Sequence, residues 1–243
     1  MTQISPTATL QEISHQMEAA AKLGAEAVTQ QGEAIIRGLG TTDEVRNLIE
    51  QVLSDDERLV EIAARSYYHA NSFLKVVLMV GDQDAWKLRL HVWHPQPAGT
   101  ENKMEDVHTH RWDFTTAIVL GAYRALEFGV GPGDEYHHYK YLPVGANQKF
   151  TLDAQGREQL YRQFDAVLPA GTTYHLDHRV LHSICRASDG PTASIIIQGN
   201  VMRDSTNVYR TSPASDQPKS ETRVERPTPD QLREELKQFL GWL

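Results

Sequence analysis

The segment Glu105 to Phe114, EDVHTHRWDF, holds two histidines one residue apart, followed by an arginine, a tryptophan, an aspartate and a phenylalanine. In an extended chain, alternation sends His108, His110, Trp112 and Phe114 to one face and Thr109, Arg111 and Asp113 to the other. Two imidazoles then share one space walled by aromatics. Neutral imidazole nitrogens bind a divalent transition ion at about 2.0–2.1 Å, and two same-face residues on a strand meet that need if a third donor arrives from elsewhere. The competing reading is packing, because a buried histidine is commonly satisfied by a backbone carbonyl and aromatics on a strand face are usually core. Two histidines on one face favour the metal.

The best source of a third donor is Pro169 to Ile184, PAGTTYHLDHRVLHSI. Its Pro-Ala-Gly turn opens a strand, LDHRV turns back, and His182 starts the next strand, where it reaches the first pair. His108, His110 and His182 are therefore the expected metal ligands, with His175 and His178 as competitors for the third place. His175, on the intervening strand, is expected to face the cavity as an acid/base or substrate contact, and His178 to sit in a solvated turn. His91 and His94 border a proline-rich turn and read as structural. His137 and His138 are neighbours, so at most one of them faces a cavity. Arg89, Arg111 and Arg124 are candidates for a bidentate clamp on a substrate carboxylate, and Tyr139 and Tyr141 of YHHYKYL for the aromatic wall. Of these, Arg124 and Tyr139 join His175 as expected catalytic groups. Asp113 either pairs with Arg111 behind the ligand strand or, if a bulge turns it, accepts from a ligand imidazole.

Positioning these groups falls to a strand-rich middle. From Phe73 onward the pattern has period two: in WKLRLHVW, Trp86, Leu88, Leu90 and Val92 alternate with Lys87, Arg89, His91 and Trp93. Short extended runs follow, separated by glycine and proline turns, which argues for a sandwich or barrel and against a parallel βαβ architecture. GVGPGDE (129–135) lacks the Lys-Ser/Thr ending of a phosphate loop and reads as a hairpin connection. Before this region, residues 9 to about 65 carry apolar positions at helical spacing. After it, residues rich in Ser, Pro and charge read as a linker, and Thr228, Pro229 and Gln231 begin a final helix with a capping box. The expected organisation is a helical segment over 1–70, a β-barrel over 71–212, and a linker with a C-terminal helix over 213–243.

Composition narrows the chemistry. Of 243 residues 40% are hydrophobic, enough for a sizeable core, and a formal net charge of −8 leaves no basic footprint for nucleic acid or membrane surface. The N-terminal residues lack a secretory signal pattern, so a cytoplasmic protein is expected. Cys185 is the only cysteine, so a metal must be held by imidazole and carboxylate, and Cys185 reads as a small buried hydrophobe. No GxSxG, HExxH or CxxC occurs, which weighs against serine hydrolase, zincin and thioredoxin readings.

The HxH pair, the glycine at 121 and the later Pro-Ala-Gly turn with its histidine resemble the cupin superfamily. More specifically, LRLHVWHPQP, EDVHTHRWDF and VLGAYRALEF together are similar to the cysteine-dioxygenase-like branch. The usual cupin carboxylate is replaced here, with Phe114 and Thr115 in its place, and the HDH of that branch reads HTH. The resemblance implies a mostly β fold, a double-stranded β-helix barrel with N-terminal helices and a C-terminal helix. It also implies three histidines holding Fe(II), with Zn, Ni or Cu as alternatives, dioxygen and a small polar or anionic molecule as substrates, and a possible homodimer. Two other readings stay open: a non-redox metal isomerase or lyase, and a non-catalytic ligand-binding barrel.

Overall fold

A computed structural model describes residues 9–69, 71–97, 99–102, 104–144, 149–214 and 225–243. Four helices come first: α1 (Leu10–Ala21), α2 (Ala25–Leu39), α3 (Thr42–Leu53) and α4 (Asp56–Arg65). Three have side-chain caps at their N-termini, from Thr9, Thr41 and Asp55, so the orphan N–H groups of the first turn are partly satisfied before any packing. The last helix, α5 (Pro229–Leu240), starts with the expected Thr228/Gln231 capping box.

Between the helices lie eleven strands: β1 (Tyr67–His69), β2 (Phe73–Val80), β3 (Lys87–Trp93), β4 (Val107–His108), β5 (Trp112–Leu120), β6 (Ala122–Val144), β7 (Lys149–Pro169), β8 (Thr173–Leu176), β9 (Leu181–Arg186), β10 (Thr192–Val201) and β11 (Thr206–Arg210). They form two antiparallel sheets, ordered β1-β2-β3-β10-β5-β8 and β11-β4-β9-β6-β7. The fold is mostly β, a double-stranded β-helix of two facing antiparallel sheets with helices before it and one after. No helix of the described residues is long and apolar enough to cross a membrane.

The outer face of the first sheet and the five helices share one apolar core. Leu88, Leu90 and Val92 of β3, Leu74, Val76 and Leu78 of β2, and Ala193, Ile195 and Ile197 of β10 all point into it. There they meet helix residues such as Ile35, Ile49 and Leu236, each with no exposed surface. The inner face of the same strands looks towards the second sheet and bounds a cavity.

Two corrections concern local structure. GVGPGDE does not connect two strands; it lies inside β6, where Val130 and Asp134 both stand opposite Leu160 and the three residues between them bulge out. Glycine is required there, since a Cβ on Gly133 would lie 2.1 Å from the Leu160 carbonyl oxygen. The histidine segment is likewise not one strand: β4 belongs to the second sheet and β5 to the first, so the chain changes sheets across Thr109–Arg111. The expected turn glycine, Gly121, has φ +69° and no room for a side chain beside Thr192 and Pro191. The middle of the expected linker, 215–224, lies outside the described residues.

Candidate metal centre

His108 is fixed by the short pairing of β4 with its neighbours, opposite His182 of β9 on one side and Val208 of β11 on the other. Its Nδ1 lies 2.8 Å from the Asp106 carbonyl oxygen. A carbonyl can only accept, so this bond places the proton on Nδ1 and leaves the Nε2 lone pair free. His110 sits in the crossing between sheets, and its backbone N–H donates to the His178 carbonyl at 3.1 Å. Its ring stacks on Trp112 at 4.4 Å between centroids and meets the edge of Phe114 at 5.1 Å.

The structure brings these three rings together. Their centroids are 4.6–4.9 Å apart, the Nε2 atoms of His110 and His182 are 2.8 Å apart, and one nitrogen from each ring lies within 4.8 Å of the others. Burial holds the His110 and His182 imidazoles well below their usual pKa, with the neighbouring His108 adding to the effect. Both are therefore neutral at neutral pH, the protonation state a metal ligand needs. Three nitrogens converging without a carboxylate fit a divalent transition ion, with an imidazole from each of two strands and one from the crossing.

His178 is not solvated. Its backbone N–H donates to Asp113 Oδ1 at 2.6 Å and its ring Nδ1 lies 2.7 Å from the same oxygen. Asp113 thus pairs with His178, neither with Arg111 nor with a ligand imidazole, and the strap it makes ends on the carbonyl that holds His110.

The triad opens into a cavity of about 460 Å³ between the sheets, a size suited to a small molecule. His91, expected to be structural, lines it; its ring is held well below its usual pKa by burial and by Lys75 and Arg89, and its buried Nε2 has no partner among the described residues. Arg89 is 8% exposed and lies over the Trp112 ring at 4.8 Å. Tyr67, His69, Lys75 and Glu105 also line the cavity, and sequence reasoning assigned none of them. The one signal was Lys75 itself, a lone cation inside the apolar run FLKVVLMV.

The three expected catalytic residues stand outside the cavity, and the roles expected of them do not follow. On β8 it is Tyr174 that lines the cavity, so alternation turns His175 to the opposite face, where it meets Thr115 Oγ1 at 3.1 Å and lies 3.6 Å from Glu33. On β6 Tyr123 points inward and donates to Ser194 Oγ at 2.7 Å. Arg124 therefore points out and forms a fork on Asp165 at 2.8–2.9 Å. Tyr139 is buried against other groups and accepts the Ala214 N–H at 2.9 Å, whereas Tyr141 reaches the cavity.

No protein-family model matches the chain, and no curated protein matches it in sequence. Solved structures similar to it include an oxalate oxidase (12% identity, TM-score 0.37, covering 71% of this chain and 74% of that one). A hydroxypropylphosphonic acid epoxidase from S. wedmorenis is similar at 12% identity and TM-score 0.33, over 55% of this chain and 53% of that one. A cupin superfamily protein from Desulfitobacterium hafniense is similar at 11% identity and TM-score 0.31, over 57% and 87%. The chain spans about half the length of the epoxidase, and at these identities the likeness concerns architecture only.

Proposed function

We propose that this chain is a mononuclear metal enzyme, an Fe(II)-dependent oxygenase acting on a small anionic substrate, with His108, His110 and His182 as the ligands. The observation that carries the reading is the convergence of three imidazole nitrogens on an aromatic-lined cavity between the sheets. Three neutral ligands leave the full charge of a divalent ion uncompensated, which favours an anionic substrate donor. Ferrous iron bound there supplies dioxygen activation. The chain supplies the rest: Trp112 and Phe114 fix the plane of His110 and keep water from its ring, and the Asp106 carbonyl sets the His108 tautomer. The Asp113–His178 strap holds the crossing segment in place.

Metal analysis of protein purified without chelator, paired with an oxygen electrode, tests this. About one iron per chain and oxygen uptake dependent on both iron and a small acid are expected. His108→Ala, His110→Ala and His182→Ala should each lose the metal while keeping the fold. Full occupancy in all three variants would sink the assignment, and turnover without dioxygen would replace it with a non-redox isomerase or lyase.

A further inference from the structure

Two cations face the cavity from adjacent strands. Lys75 of β2 stands directly opposite His91 of β3, and Arg89 lies two residues along β3 from that partner, on the same face. The pair is thus diagonal across the strands, where long side chains reach one another and like charges repel. Neither cation forms an ion pair with any described residue. The Lys75 ammonium lies 5.1 Å from the Tyr67 ring centroid, and Arg89 lies over the Trp112 ring with its buried Nε unpartnered among the described residues.

Burial lowers Arg89 only to about 10, so it keeps its charge at neutral pH. Burial pulls the Lys75 ammonium below its ordinary value, with Arg89 adding to the effect and Tyr67 opposing it, so the strain of enclosing two cations falls on Lys75 as well. Against its own burial, the Tyr67 phenol is held below its ordinary value by Lys75, with Arg89 and Lys87 adding. Of the nearby carboxylates, Asp106 lies 3.1 Å from Arg210 Nε, and Glu105, which lines the same cavity and accepts from Asn71 Nδ2 at 2.7 Å, acts on Lys75 only from beyond ion-pair distance. Burying an unpaired cation destabilises the fold, and burying two that repel each other destabilises it further. An anion between them removes both costs at once.

We propose that Arg89 and Lys75 form a head-group subsite for a substrate carrying two negative charges on one compact group or on two adjacent ones, such as a phosphate, a phosphonate or a short dicarboxylate. The proposal rests on the reading of this cavity as the substrate chamber. Arg89, Trp112 and His110 are layered in that order, guanidinium on indole and indole on imidazole. A head group on Arg89 is therefore held one indole away from the triad, and the rest of the substrate reaches back towards the ligand nitrogens. The guanidinium supplies a planar fork of donors and the ammonium a point charge, which together hold a multi-oxygen anion better than a single carboxylate.

Titration calorimetry of the full chain stripped of metal, using inorganic phosphate, malonate and acetate, tests the subsite apart from the metal. Phosphate, malonate or both should bind at least about tenfold more tightly than acetate, the effect of one added charge-assisted hydrogen bond. Which of the two binds separates an oxyphosphorus from a dicarboxylate head group. Arg89→Met and Lys75→Met should each weaken that binding by about tenfold or more. Arg89→Lys, which keeps the charge, should weaken it less, and serves if the methionine variant does not fold. Acetate binding as tightly as both dianions, wild-type affinity in both methionine variants, or no binding of either dianion would overturn the proposal. Dianion binding by a chain that consumes no oxygen would remove the oxygenase reading and leave the subsite standing. Oxygen uptake with monoanions alone would do the reverse.

Discussion

The two faces of β3 obey different rules. On one, Leu88, Leu90 and Val92 pack under the helices with at most 2% of their surface exposed, and no polar atom from the strand's side chains enters that core. On the other, Arg89 and His91 are enclosed with nitrogens that no described residue satisfies. Alternation along a single seven-residue strand produces both. The first face is what hydrophobic burial selects at about 25 cal/mol per Å². The second costs stability, and a chain retains such a cost where a ligand repays it.

Substitutions should separate the faces cleanly. The largest contrast pairs Leu90→Ala with His182→Ala. The leucine variant should lose about 2–5 kcal/mol of stability, read as a shift in the urea midpoint, while still binding one metal per chain. The histidine variant should show the opposite pattern, with metal lost and the midpoint of the metal-free protein little changed. If both lose both, the faces are not independent.

Removing the strap with Asp113→Ala should weaken metal affinity by about 10–100-fold, the usual effect of freeing a group that orients a ligand. Competition with a chelator measures it. On the charged face, Arg89→Met should leave the midpoint unchanged or raise it, because it deletes an unpaired buried cation and keeps the volume. A loss above about 2 kcal/mol would mean that Arg89 is structural after all.

The smallest effect concerns pH. Burial, with Lys75 and His108 adding to it, holds His69 at a pKa of about 3, far below the unfolded value of about 6.5. In that window the unfolded chain takes up a proton that the folded chain refuses. Stability is therefore full above about pH 6.5 and falls as pH drops towards 3. His69→Gln should make the midpoint less sensitive between pH 7.5 and 5. An unaltered slope would show that the ring is not shielded.

Much of this was readable from local pattern. Period two assigned the opposite faces of β3 and put His108, His110, Trp112 and Phe114 together, and capping chemistry marked the start of α5. Registers were not readable. His175 and Arg124 went to the wrong side because the residue that faces inward on β8 and β6 is their neighbour, Tyr174 or Tyr123, and only pairing with β5 and β9 decides that. Lys75, Tyr67 and His69 were invisible as site residues because they come from β1 and β2, more than thirty positions before the ligands, and meet them only through the sheet order. Arg89 was named beside Arg111 and Arg124, and nothing short of coordinates separates an enclosed arginine from two others.

The crossing at Thr109–Arg111 carries a final consequence. One donor ring rides on the stretch of chain that leaves one sheet for the other, while its two companions sit on adjacent strands of a single sheet. Any sliding of one layer over the other therefore alters the spacing of the three nitrogens directly. Affinity for the ion becomes a gauge of how the layers are seated, and a change far away, under the helices, can be felt as a change in grip at the centre.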